Sequence, residues 1–417
     1  MPLKSYEECV EWLFSQFPSY QQLGATAYKP DLGNIQALLE RIDHPEKELR
    51  FIHVAGSNGK GSTSSMLASI LTESGERVGL FTSPHIESFT ERIRVNGKMI
   101  EETFVVSFCN KIRQLDIAPS FFEITFAMAL DYFNESHCSI CVIETGLGGR
   151  LDATNCIFPI ASIITNISLE HTQLLGDTEE QIAFEKAGII KSETPVFVGR
   201  AADHVKAVFS RVAQQKVADI TYCGEYVLDH SFTVPLNGAH QQENFNTVLH
   251  VINWLNTVSF TINENTISNG LKRLYLNTGF FGRLQLYSDN PRIILDVSHN
   301  AEGIAETLKF VRTEFSGELY IIFGTSLDKE IEKILPLFQS TDHLIFTPFS
   351  NPRSRSCAEW EEISTGLQKE PLVFSCIDEA LTYCKSMAKV EDTILVTGSF
   401  FLLTDFFHFF QRISLPE

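Results

Sequence analysis

The feature that most constrains this chain is a glycine-rich turn between an apolar run and a helical pattern. The residues from Arg50 to Leu71 read RFIHVAGSNGKGSTSSMLASIL. The apolar run predicts a strand, and Ser62 lies in the first turn of a predicted helix. Such a turn points backbone N–H groups at an anion, and the helix dipole adds partial positive charge. The pattern predicts a phosphate site in which Lys60 reaches the terminal phosphates of a nucleotide and Ser62 holds magnesium.

The spacing of this turn departs from the common GxxxxGK[ST] pattern. The segment Gly56-Ser-Asn-Gly-Lys-Gly-Ser62 is shorter, and a glycine follows the lysine. The structural alternative is a plain strand-to-helix loop that happens to contain one lysine. The combination of a strand, three glycines, Lys60 and Ser62 favours the phosphate site.

Short apolar runs alternate with longer helical patterns along most of the chain, which is typical of βα units around a parallel sheet. Ligands of open α/β sheets gather at the carboxyl ends of the strands, so we look for chemistry in those loops. The predicted strands are 50–54, 78–81, 140–144, 161–166 and 195–198, followed by a second series at 292–296, 319–323, 343–346 and 393–396.

The length of 417 residues favours two domains. Residues 277–283, with glycines at 279 and 282, separate the two series of strands and have the composition of a linker. We therefore expect one domain at 1–288 and a second at 289–417. The fold class is α/β throughout, with a mainly parallel sheet around the phosphate turn in the first domain.

Composition and charge exclude several classes of protein. Apolar residues make up 44% and charged residues 20% of the chain, and the formal net charge is -19. This charge argues against binding to nucleic acid or to an anionic membrane surface. The N-terminal pattern predicts an amphipathic helix rather than a targeting peptide, and no apolar run is long enough to cross a membrane. We expect a cytoplasmic protein that needs no disulfides.

A carboxylate stands where another predicted strand meets a glycine-rich loop. Glu144 ends the run SICVIE and precedes TGLGGRLDATN, which suits a magnesium ligand. His171 could hold a second metal or a water, or could be structural. Pattern alone leaves Ser83 as a turn residue and Lys186 as a solvated helix lysine.

Taken together, these segments resemble the folylpolyglutamate synthase and dihydrofolate synthase family of the Mur ligase superfamily. The matching segments, in order, are HVAGSNGKGS, LFTSPH, ETGLGGRLDATN, SLEHTQLLGDT, FEKAGIIK, NGAHQQEN, GRL, DVSHN and VTGSFF. The resemblance implies an ATP-binding domain followed by a smaller Rossmann-like domain. It also implies a monomer that uses ATP to join L-glutamate to dihydropteroate or tetrahydrofolate through an acyl phosphate.

The resemblance assigns a role to each site residue. The implied catalytic residues are Lys60, Lys186 and His171. In the family, the lysine that matches Lys186 is carbamylated. The implied nucleotide contacts are Asn58, Gly59, Lys60, Gly61, Ser62, Asn244, Arg283, Asp296 and His299. The implied ligands of two magnesium ions are Ser62, Ser83, Glu144 and His171, and the implied substrate contacts are Phe122 and Asp152.

Two departures from the family pattern and two rival functions stand beside this expectation. The family usually has a proline before the residue at Arg283 and DGAHNP where this chain has DVSHNA. A cell-wall ligase of the same superfamily, which acts on a uridine-nucleotide substrate, is one rival; because the phosphate turn begins near residue 55, we expect no extra N-terminal domain for such a nucleotide. A nucleotide switch without ligase activity is the other, and it leaves the DVSHN motif unexplained.

Overall fold

The structure is a computed structural model that describes residues 2–17, 19, 24, 31–113, 117–367 and 369–414. The chain forms two compact units. The first contains Met1–Pro235 and His240–Phe280, and the second contains Leu236–Ala239 and Phe281–Glu417. The expected boundary near residue 288 differs from this division, because it falls inside a strand that belongs to the second unit.

The first unit is built on an eight-stranded sheet in the order β4-β3-β2-β5-β1-β6-β7-β8. Its strands are β1 Phe51–Ala55, β2 Val78–Phe81, β3 Ile93–Val95, β4 Lys98–Met99, β5 Ile140–Glu144, β6 Ala161–Asn166, β7 Val196–Arg200 and β8 Ile220–Tyr222. The six strands β2, β5, β1, β6, β7 and β8 are parallel. Strands β3 and β4 add an antiparallel hairpin at the edge next to β2.

Helices flank this sheet. They are α1 Tyr6–Gln16, α2 Gly33–Arg41, α3 Lys60–Glu73, α4 Glu102–Ile112, α5 Phe121–Glu135, α6 Thr172–Leu175, α7 Glu179–Ala187, α8 Asp203–Gln215, α9 Ala239–Val258, α10 Glu264–Lys272 and α11 Leu274–Thr278. Short 3-10 helices lie at Pro45–Lys47, Phe89–Arg92, Ala153–Cys156 and Cys223–Glu225.

The centre of the first sheet holds the phosphate turn in place. Every residue of β1 and of β5 is buried, as expected for parallel strands covered on both faces. Helix α3 is buried from Gly61 to Leu71, and α10 packs so closely on it that a side chain on Gly270 would lie 2.6 Å from Ile70. The turn between β1 and α3 is therefore mounted on two rigid, enclosed elements.

The second unit has a six-stranded sheet in the order β13-β12-β11-β14-β10-β9, parallel except for the β9–β10 pair. Its strands are β9 Gln285–Asp289, β10 Arg292–Leu295, β11 Leu319–Phe323, β12 His343–Phe346, β13 Leu372–Val373 and β14 Thr393–Thr397. Its helices are α12 Ala301–Glu314, α13 Ile331–Ile334, α14 Cys357–Ser364, α15 Ile377–Met387 and α16 Phe400–Ser414, with a 3-10 helix at Leu335–Leu337.

The structure confirms the predicted fold class, with two α/β units and mainly parallel sheets. The nine predicted strands are present, and their ends differ from the prediction by two residues at most. The predicted N-terminal helix is α1, which Ser5 caps by accepting a hydrogen bond from the Glu8 N–H. Within the described residues, no helix has the length and apolar character needed to span a membrane.

All nine cysteines are free. Cys138 and Cys141 stand three residues apart, a spacing that can mark a redox pair. Both are buried, and burial raises the pKa of the Cys141 thiol well above its ordinary value. A thiol that resists ionisation is a poor nucleophile, so this pair has the character of core packing.

Candidate active site

The phosphate turn runs from Gly56 to Gly59, and α3 begins at Lys60. Gly59 adopts a left-handed conformation with φ of +82°, and a side chain there would lie 2.4 Å from Oδ1 of Asn244. Because Gly59, the N-cap residue, has no side chain, it makes no side-chain hydrogen bond to the first N–H groups of α3. The first N–H groups of the helix are thus available to an anion, together with the positive end of its dipole.

The end of β6 holds this turn in one conformation. The Ser57 N–H donates to the backbone oxygen of Asn166 at 3.0 Å, and the Asn58 N–H donates to its side-chain oxygen at 2.8 Å. The Thr165 hydroxyl donates to the Asn58 carbonyl at 2.5 Å. A side chain on Gly56 would lie 1.8 Å from that hydroxyl, so only glycine fits. The turn is preorganised before any nucleotide arrives.

Lys60 places its charge on the turn itself. Its ammonium donates to the carbonyl of Gly56 at 2.8 Å and to that of Ser57 at 3.2 Å. The cation therefore lies beside the N–H groups that face an anion. A phosphate bound there would meet a charge-assisted donor as well as neutral ones.

Glu144 connects two of the loops that the sequence singled out. It ends β5 opposite Val54 of β1, and only 4% of it is exposed. Its Oε2 accepts the Ser83 N–H at 3.1 Å. A side chain on Gly61 would lie 3.7 and 3.8 Å from its two carboxylate oxygens. The structure thus brings the Ser83 backbone and the start of α3 to Glu144.

The residues around Glu144 fit a magnesium ion. A carboxylate and the hydroxyls of Ser62 and Ser83 are hard oxygen donors, which magnesium prefers. Among the described residues, no three His, Cys, Asp or Glu side chains converge into a metal cage. Magnesium in nucleotide sites commonly takes only one or two carboxylates, with phosphates and waters completing its shell. The assignment of these ligands stays a prediction.

Lys186 is buried rather than solvated, so the alternative of an ordinary surface lysine is wrong. Only 1% of it is exposed. Its ammonium donates to Oε1 of Glu170 at 2.7 Å and to the Gly56 carbonyl at 2.9 Å. Burial lowers the pKa of Lys186, and Lys60 lowers it further, whereas Glu170 raises it. The lysine lies directly against the phosphate turn.

Glu170 is the residue that sequence reasoning missed. Burial alone raises the pKa of its carboxyl, but the positive charges of Lys186 and Lys60 bring it below its ordinary value. His171, the next residue, has a left-handed backbone with φ of 47° and also lowers the pKa of Glu170. The SLEH segment thus delivers both a histidine and the counter-ion of the buried lysine. Only the position of Glu170 beside a predicted site residue hinted at this role.

Asp152 and Phe122 both contact the start of the loop that follows Glu144. One oxygen of Asp152 accepts the N–H groups of Gly146 and Leu147 at 3.0 and 2.8 Å, and the other accepts the N–H and hydroxyl of Thr154. Burial nevertheless raises the pKa of Asp152. Phe122 packs so closely on the loop that a side chain on Gly146 would lie 2.6 Å from its ring. Their contact with a substrate stays a prediction.

Asn244 meets the phosphate turn from α9. It is 8% exposed, and its amide donates to Oε1 of Gln241 at 3.1 Å. Its closeness to Gly59 places a polar side chain at the start of α3. That position is compatible with the predicted nucleotide contact and does not test it.

Two of the three predicted residues of the second unit lie beside one aromatic ring, that of Phe400. The Arg283 guanidinium lies 5.2 Å from the centre of the Phe400 ring, and the His299 ring lies 6.1 Å from it. Asp296 is 2% exposed and accepts the Leu284 N–H, the Ser298 N–H and the Thr307 hydroxyl. Asp296 therefore shapes the turn after β10, and the contacts of all three residues with a nucleotide stay predictions.

These two units define a Mur-type, ATP-dependent ligase. The family description "Mur ligase middle domain" matches residues 54–257, and "Mur ligase, glutamate ligase domain" matches residues 282–400. Each description falls within one of the two α/β units, apart from the short segment 236–239.

More specific relatives cover most of the chain. A dihydrofolate synthase/folylpolyglutamate synthase of Bacillus subtilis is 31% identical over 90% of this chain and 94% of its own length. An Escherichia coli protein of the same name is 34% identical over 83% of each chain. The structure of E. coli FolC in complex with DHPP and ADP superposes with a TM-score of 0.86 at 28% identity, covering 99% of both chains. The chain belongs to the dihydrofolate synthase/folylpolyglutamate synthase family.

Proposed function

We propose that this ligase joins L-glutamate to the carboxylate of a pterin-containing acceptor. We propose that it accepts both dihydropteroate and tetrahydrofolate. The observation that carries the proposal is the preorganised phosphate turn with Glu144 and Lys186 beside it, in a chain of this family. The names of the relatives and the DHPP and ADP of the FolC complex support the choice of substrates.

The chemistry begins with activation of a poor electrophile. The substrate carboxylate attacks the γ-phosphorus of ATP, the bond to the β,γ-bridging oxygen breaks, and an acyl phosphate and ADP form. The glutamate amine then attacks the acyl carbon and loses a proton, and phosphate leaves. Each step exchanges one bond for another, and no bond to the enzyme is needed. Labelled folate should therefore leave no covalent adduct on the chain.

The residues of the turn stabilise the transferring phosphoryl group. The N–H groups that open α3 and the Lys60 ammonium are fixed in place before reaction, so they need little reorganisation as charge develops. Ser62, Ser83, Glu144 and His171 would hold two magnesium ions, which neutralise phosphate charge when bound. Carbamylation would turn Lys186 into an anion suited to these cations, and it would have to displace the present contact with Glu170.

The test is phosphate release from ATP in the presence of magnesium and glutamate, with dihydropteroate or tetrahydrofolate as the acceptor and the product checked by mass. We expect release with each acceptor and the mass of one added glutamate. Lys60→Gln should abolish release, because it removes the cation at the phosphates. Lys206→Gln is the matched control, since Lys206 pairs with Glu225 on the surface of the same unit.

The outcomes separate the rival functions. Release with one acceptor alone would narrow the activity to that substrate. Release that ignores both acceptors and glutamate would point to a nucleotide switch. Release that needs a uridine-nucleotide acceptor would point to a cell-wall ligase.

A further inference from the structure

A buried histidine in β1 begins a chain of hydrogen bonds that ends in the loop after Glu144. His53 is fully buried, three residues before Gly56 of the phosphate turn. Its Nε2 lies 2.8 Å from the Thr154 hydroxyl oxygen. A polar group in the core of a parallel sheet costs free energy unless it is hydrogen-bonded. The presence of a histidine at this position therefore needs a structural or functional reason.

The direction of each hydrogen bond follows from its partners. The Thr154 hydroxyl donates to Oδ1 of Asp152, so its oxygen must accept from His53 and Nε2 must bear the proton. The other ring nitrogen, Nδ1, has no hydrogen-bond partner among the described residues. Burial and the charge of Lys191 lower the pKa of His53 to about 3. His53 is therefore neutral, in a single tautomer.

The last member of this chain organises a whole loop. Asp152 also accepts the N–H groups of Gly146 and Leu147, which lie at the start of the loop. Thr154 thus lies between the carboxylate and a histidine of the central strand. Because Phe122 packs directly on Gly146, a shift of the loop would move that ring as well.

We propose that His53 and Thr154 are positioning residues that hold the Asp152 loop in the conformation that binds the pterin-containing acceptor. The inference rests on the proposed function and on the predicted contact of Asp152 with the acceptor. The phosphate turn is fixed separately, by Thr165 and Asn166 at the end of β6. Loss of the hydrogen bonds that link His53, Thr154 and Asp152, which we call the relay, should therefore weaken binding of the acceptor and leave binding of ATP largely unchanged.

The first experiment removes only the hydroxyl. Thr154→Val keeps the shape of the side chain, and we expect it to raise KM for the acceptor by about tenfold, the size of one hydrogen bond to a charged group. KM for ATP should change by less than about twofold. Thr154→Ser keeps the hydroxyl and should recover most of the loss. Thr125→Val is the matched control, because Thr125 is equally buried and its hydroxyl bonds within its own helix, to Phe121.

The second experiment tests whether the two residues act as one unit. His53→Leu should reproduce the effect of Thr154→Val, and His53→Gln should recover part of it, since its amide can donate. Members of one relay give non-additive effects, so the double variant should resemble the more affected single variant. Equal increases in KM for ATP and for the acceptor, or additive effects of the two changes, would overturn the proposal.

A third measurement does not depend on turnover. Hydrogen exchange of the folded variants should be faster in the segment 145–156 for Thr154→Val than for Thr125→Val, with residues 56–62 unchanged. Unchanged exchange in 145–156 would refute the positioning role even in an active enzyme. Faster exchange together with an inactive parent protein would instead contradict the proposed function and leave the loop-positioning role supported.

Discussion

At the scale of single residues, the structure changes the meaning of Lys186. Its side chain is 2% exposed and that of Glu170 is 9% exposed, so the two charges form a buried pair. Removal of one member leaves the other buried without compensation, which typically costs about 3–5 kcal/mol. A loss of activity in a Lys186 variant could therefore come from a damaged fold as well as from lost chemistry.

A pair of variants separates these two effects. We expect Lys186→Met to lower the melting temperature and abolish turnover, because it leaves the buried Glu170 carboxylate without its counter-ion next to the phosphate turn. Adding Glu170→Gln removes that charge and should restore most of the melting temperature while turnover stays absent. Lys206→Met, which breaks a surface pair with Glu225, should leave the melting temperature nearly unchanged. Turnover in the double variant would show that Lys186 has only a structural role.

The sequence predicted the role of one of the two site lysines, Lys60, but not the burial of the other, Lys186. A lysine in a helical pattern is usually solvated, and nothing in its neighbours shows that the helix packs against the phosphate turn. Burial of Lys186 follows from tertiary packing, and so does its pairing with Glu170. Lys60, by contrast, was predictable because its role depends on a local pattern of glycines and a helix start.

At the scale of elements, strands in the centre of the sheets were predictable and strands at the edges were not. β1, β5 and β14 are buried along their whole length, so they appear in the sequence as mainly apolar runs that contain Ile and Val. The edge strands β8 and β13 are short and partly exposed, and their residues give no comparable signal. The antiparallel β3–β4 hairpin was also missed, because a three-residue strand is too short to show a period.

The turn between β1 and α3 gives a prediction at this scale. Gly59→Ala should weaken ADP binding at least tenfold, because its new methyl group would lie 2.4 Å from Oδ1 of Asn244 and would force the turn or the asparagine to move. Gly75→Ala is the matched control. Gly75 also has a positive φ, +93°, but a side chain there meets nothing within 4 Å.

Calorimetric titration with ADP and thermal unfolding of both variants would separate backbone strain from the contact with Asn244. Both alanines should lower the melting temperature, since each requires a left-handed backbone, and Gly59→Ala should lower it further because of its contact with Asn244. Only Gly59→Ala should lose affinity for ADP. Equal affinity in the two variants would mean that the turn adapts and that Asn244 does not constrain it.

At the scale of the whole molecule, the charge of the chain opposes the charge of its proposed ligands. The chain has 52 acidic and 33 basic side chains, giving the net charge of -19. Nucleotide, glutamate and pterin carboxylate are all anionic. Binding must therefore depend on local groups, such as the N–H groups of α3 and the Lys60 ammonium, that act against the average field of the protein.

Ionic strength distinguishes the local attraction from the distant repulsion. The Debye length falls from about 30 Å at 0.01 M salt to about 10 Å at 0.1 M. The repulsion from distant carboxylates is then screened, while contacts within the phosphate turn are screened much less. At a fixed magnesium concentration we expect ADP to bind roughly twofold more tightly at 0.1 M than at 0.01 M potassium chloride. Most proteins that attract anionic ligands through a basic surface show the opposite trend.

Adenosine is the control ligand, because it lacks the phosphates and its affinity should not respond to salt. Lys60→Gln should weaken ADP binding at both salt concentrations and keep the same direction of the salt effect, since the distant charge is unchanged. If ADP instead bound more weakly at 0.1 M salt, the cations close to the site would dominate over the whole molecule. The net charge of the chain would then not determine how the affinity for ADP depends on salt.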